Sequence, residues 1–114
     1  MSLSRHLLIA AGLFCLGISP AVAATFGELV AWCAPADAGG RPVLCSRYLE
    51  TYLEALASPK EHLNDGVRAC VPETADRGEL VRLILAYADA NPASDALSGI
   101  AGAGKALEDR YPCR

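Results

Sequence analysis

The apolar positions of the chain fall into four helical stripes separated by turn-forming runs. Thr25 stands before Phe26, Leu29, Val30 and Cys33, which recur at the spacing of one helix face, with Trp32 at its edge. Pro35, an aspartate and Gly39-Gly40 then mark residues 34–42 as a loop. Leu44, Cys45, Tyr48, Leu49, Tyr52, Leu53 and Leu56 form one broad face of a second helix, predicted over Pro42–Ala57. Arg47, Glu50 and Glu54 lie opposite, and Arg47 is expected to pair with Glu50 one turn on.

Ser58-Pro59 stops that helix. Residues 59–72 are polar and contain Asn64-Asp65-Gly66, a strong turn signal, with room for a single helical turn over residues 60–63. Thr74 or Asp76 caps a third helix whose buried stripe is Leu80, Leu83, Ile84 and Tyr87, with Leu85 at the far edge. Pro92 ends it, and Asn91-Pro92 is expected to start a fourth helix over residues 92–110. Gly99, Gly102 and Gly104 fall inside that helix, each at a cost of about 1 kcal/mol against alanine. Close approach of a neighbouring helix, within the domain or across a dimer, is the favoured explanation; a weaker helix is the other. Sustained strand alternation is absent, so the expected fold is all-α, a small four-helix bundle.

The first residues read differently. Arg5 and His6 precede an apolar run over residues 7–18, Ser19-Pro20 ends it, and Ala21-Val22-Ala23 is a signal-peptidase pattern. Residues 1–24 are therefore expected to be a signal peptide and 25–114 the domain, with cleavage after Ala23 or Ala24 fitting equally well. The run is too short to span a bilayer, which takes about 20 residues. Taking Arg5 from the ten basic side chains leaves nine against thirteen acidic ones, a surface unsuited to nucleic acid or anionic membranes.

Four cysteines then remain: Cys33, Cys45, Cys70 and Cys113. An even number in a small exported domain reads as two disulfides. Cys33 closes the first helix and Cys45 opens the second; Cys70 precedes the third and Cys113 follows the fourth. Antiparallel neighbours bring each of those pairs of ends together, which predicts Cys33–Cys45 and Cys70–Cys113. The spacings suit neither zinc nor haem attachment, and His62, the single histidine past the leader, is a lone loop residue, so neither metal nor cofactor is expected. No nucleophile, phosphate-loop or zinc-protease motif occurs, and Glu50 and Glu54 read as a solvated face rather than a carboxylate pair, so the chain is not expected to be an enzyme.

The order Cys45-x-x-Tyr48-Leu49, Cys70-Val71-Pro72, Asn91-Pro92, Ala106-Leu107 and Tyr111-Pro112-Cys113 resembles the Rap/Tai family of immunity proteins, over residues 26–114. Thr51, where the family often has glycine, and the glycine content of the last helix depart from it. The resemblance implies a periplasmic helical domain similar in fold to the acid-stress chaperone HdeA. It implies binding and occlusion of a peptidoglycan amidase effector delivered by a type VI secretion system, often by a homodimer. An acid-stress or general periplasmic chaperone of the same frame is the alternative. Residues 60–68 and 88–94 are the expected contact loops, and Asp65, Arg68, Asp89 and Asp95 the candidate contact residues.

Overall fold

The computed structural model describes residues 24–114; the expected leader, Ala24 apart, lies outside the described residues. Among the described residues five α-helices follow one another: α1 (Phe26–Cys33), α2 (Pro42–Ala57), the single-turn α3 (Glu61–Asn64), α4 (Arg77–Ala90) and α5 (Gly99–Leu107). Short 3₁₀ turns occupy Ala36–Ala38 and Pro92–Ala96. Among the described residues there is no strand, only an isolated antiparallel bridge between Thr25 and Ser98. The fold is all-α, as the periodicity implies.

The helix starts follow from side chains that satisfy otherwise orphaned N–H groups. The Thr25 hydroxyl accepts from Glu28 N, and the Glu28 carboxylate accepts from Thr25 N at 2.9 Å, a reciprocal capping box. Asp76 does the same for α4, accepting from Glu79 N at 3.1 Å. Pro42 opens α2 at a position where a missing N–H costs nothing.

The core is one contiguous cluster. Phe26, Leu29 and Cys33 come from α1; Cys45, Leu49, Tyr52 and Leu56 from α2; Leu80 and Ile84 from α4; Ala103 and Leu107 from α5. The two disulfides are Cys33–Cys45 and Cys70–Cys113, with Cα–Cα distances of 4.9 and 5.0 Å. They join the helix ends that antiparallel packing predicts.

Four expectations are corrected. The fourth helix does not begin at Pro92: residues 92–96 form the 3₁₀ turn, Leu97 and Ser98 are extended, and the Ser98 hydroxyl caps α5 by accepting from Ala101 N at 3.1 Å. The cause is non-local. Phe26 N donates to Leu97 O at 2.8 Å and Gly99 N donates to Ala24 O at 2.9 Å, so the chain before α1 holds residues 97–98 extended. Asn91 does not cap a following helix with its side chain; its Nδ2 donates back to Tyr87 O and closes α4. Glu50 pairs with Arg77 of α4 at 3.3 Å rather than with Arg47. Leu85, placed at an outer edge, is half-buried and packs on the core.

The α5 glycines mark close approach within the domain. A Cβ on Gly102 would overlap the Phe26 ring, one on Gly99 the Tyr52 phenol, and one on Gly104 would meet Val67 Cγ1 at 2.5 Å and Leu56 Cδ2 at 2.9 Å. Helices α1 and α2 thus lie on α5 where only hydrogen atoms fit, and these residues are spent inside the bundle rather than on its surface.

Candidate partner-binding site

Asp65 and Asp95 border the seam where the chain before α1 pairs with residues 97–98. Asp65 ends α3 in the left-handed region (φ 56°), and its carboxylate accepts from the Ser98 hydroxyl at 2.5 Å. One serine therefore links the loop of α3 to the cap of α5. Asp95, in the 3₁₀ turn, lies against Gly27 of α1, where a Cβ would stand 3.2 Å from the Asp95 Cβ. Both carboxylates face solvent. Asp89 is exposed on the last turn of α4. Arg68 is used structurally: its guanidinium donates to Ala57 O at 3.2 Å and so satisfies a carbonyl at the end of α2.

Residues 58–66 are held by a side chain the sequence offered only as part of a turn. Asn64 is fully buried. Its Nδ2 donates to Ser58 O at 2.7 Å and its Oδ1 accepts from Gly66 N at 2.9 Å. The left-handed Asp65 and Gly66 reverse the chain directly afterwards. This anchor leaves Leu63 at the surface, 42% exposed beside the exposed His62 and Asp65. Leu63 is the single leucine of the run over residues 59–72, yet nothing in periodicity separates an exposed leucine from a buried one. Ser94 is also buried, in the neighbouring 3₁₀ turn.

Two electrostatic features bear on the fold. Burial pushes the Tyr52 phenol up to about 12, helped by Tyr48 and then Glu28. On the surface of α4, the Arg82 guanidinium hydrogen-bonds Glu79 and, with Arg110, holds its carboxyl below the usual range. No group of three or more histidine, cysteine, aspartate or glutamate side chains is placed to hold a metal ion among the described residues, and no described helix is long and apolar enough to cross a membrane. What this end offers is a loop anchored by hydrogen bonds, with an exposed leucine beside carboxylates, which suits recognition of another macromolecule.

Neither the curated proteins nor the solved structures contain a significant match to the chain. The family model of Rap1a immunity proteins matches residues 25–113, the whole helical domain and both disulfides. The chain belongs to the Rap1a immunity protein family.

Proposed function

We propose that this protein is exported to the periplasm and there neutralises a peptidoglycan amidase effector of a type VI secretion system, acting as an inhibitor and not as an enzyme. Cleavage after Ala23 suits the fold better than cleavage after Ala24, because Ala24 is buried and its carbonyl accepts from Gly99 N. Family membership supports the immunity role. The observation that carries the mode of action is the loop anchored by Asn64: it holds Leu63 outward on an ordered backbone, with Asp65 beside it. Such an element enters a partner's groove with little ordering cost. Asp65, Asp89 and Asp95 supply complementarity to a basic or polar rim, and Arg68 keeps the loop on α2.

The homodimer expected from the resemblance rests on the family alone, since the α5 glycines and Leu85 are engaged within the domain. The chaperone alternative shares the frame but gains nothing from the family match. The test is direct. An amidase encoded beside this protein is co-purified with it, and peptidoglycan hydrolysis is measured with and without the partner. Binding with loss of hydrolysis is expected, and Leu63→Glu weakens it by roughly 10-fold or more, the scale of a lost buried anchor. A neighbouring amidase that neither binds nor loses activity overturns the reading.

A further inference from the structure

A groove on another face of the bundle takes no part in the loop just described. It lies between α2 and the segment that leads from Cys70 into α4, and encloses about 460 Å³. That volume falls within the roughly 300–1,000 Å³ of ligand-sized clefts. Its floor is apolar, with Leu53 and Val71 half-buried and Leu80 buried. Its rim is acidic, with Glu50, Glu54 and Glu73 against a single cation, Arg77. Arg77 is already paired with Glu50 at 3.3 Å. Glu54 and Glu73 have no cationic partner among the described residues, and both are exposed.

The groove does not stop at the ion pair. Glu50 also borders a shallow depression with Val43 and Ser46, and Val43 is 72% exposed. Arg77 also borders an apolar cleft of about 280 Å³ beside Trp32 and Val81. Shared border residues set these three depressions in a row, a furrow crossed by the Glu50–Arg77 pair, along α2, whose 16 residues correspond to about 24 Å. A furrow of that length fits an extended chain better than a compact small molecule.

We propose that this furrow is a second docking surface, taking an extended segment of another protein that carries a lysine or arginine beside apolar side chains. The apolar residues of the segment lie on Leu53 and Val71, and its cation meets Glu54 and Glu73. Charge complementarity selects a basic over an acidic segment, and the apolar floor selects a peptide over a simple cation.

The probe is a short fluorescein-labelled peptide of leucine, alanine and lysine, with a glutamate-for-lysine version as control. Anisotropy follows binding to the full exported protein, and amide chemical shifts map the contact. Saturable binding of the lysine peptide alone is expected, with shifts at Leu53, Val71 and Glu73. The double variant Glu54→Lys/Glu73→Lys weakens it by roughly 10-fold or more while still neutralising the effector, which keeps this proposal separate from the loop reading. The proposal is overturned by any of three results: unsaturable binding, shifts confined to the Asp65 end, or equal competition by spermidine, which would mark a site for small cations.

Discussion

Tyr52 shows how one side chain connects packing to titration. It is 6% exposed, stacks obliquely on Tyr48 with ring centroids 5.9 Å apart, and its hydroxyl lies where a Cβ on Gly99 would fall. Burial favours the neutral phenol, and the value rises from 10.0 to about 12. A proton held more tightly in the folded state stabilises it fully below pH 10, and that contribution disappears as pH rises toward 12. Stability of the native protein is therefore expected to fall across that window more steeply than stability of Tyr52→Phe, measured by urea denaturation at successive pH values. Absorbance of ionised tyrosine should show a late component that the variant lacks. Identical pH profiles for the two would mean that Tyr52 is not held neutral by its surroundings. The sequence marked Tyr52 as a core residue, but its contact with Gly99, and hence the reason for a glycine there, depends on a helix distant in the chain.

At the scale of elements, what was legible was local. Thr25 and Asp76 cap the helices they precede, α2 has both expected boundaries, and the turn of α3 is displaced by one residue from the expected span. What was not legible was set by distant pairing. Asn91-Pro92 is a sound helix-start signal, yet Ser98 starts α5, because bonds from Phe26 N to Leu97 O and from Gly99 N to Ala24 O hold residues 97–98 extended. The candidate site divides in the same way. Asp65 was found from its turn, whereas its bond to Ser98 and the exposure of Leu63 follow from the buried Asn64. Replacing Asn64 with alanine leaves Ser58 O and Gly66 N without these partners, at about 1–3 kcal/mol. Asn64→Ala is expected to speed amide exchange across residues 60–66 and weaken effector binding, with helix content by circular dichroism unchanged. Binding that survives while exchange accelerates would show that an ordered loop is not what the effector recognises.

At the scale of the molecule, the disulfides act on the unfolded chain as much as on the folded one. Cys33–Cys45 encloses a separation of 12 residues and Cys70–Cys113 one of 43. On the chain-entropy account these contribute about 3 and 4 kcal/mol, against a typical domain stability of about 5–15 kcal/mol. The longer one also has backbone help, because Cys70 N donates to Tyr111 O at 2.8 Å and sets the chain end against the start of the α4 segment. That bond uses backbone atoms and is expected to survive replacement of the cysteines, so Cys70→Ala/Cys113→Ala chiefly reads the effect on the unfolded ensemble. The variant is expected to lose about 4 kcal/mol, most of it as slower folding, with a steeper dependence on urea because the unfolded chain expands. Stopped-flow folding and unfolding rates check this. A loss that falls instead on the unfolding rate would mean that the bond strengthens the packed bundle, in particular the contact of α4 with α5. The entropic account also bears on where the protein works: a chain that owes this share of its stability to two disulfides reaches full stability only in an oxidising compartment, so the reduced protein should protect poorly against its effector even though every contact residue is present.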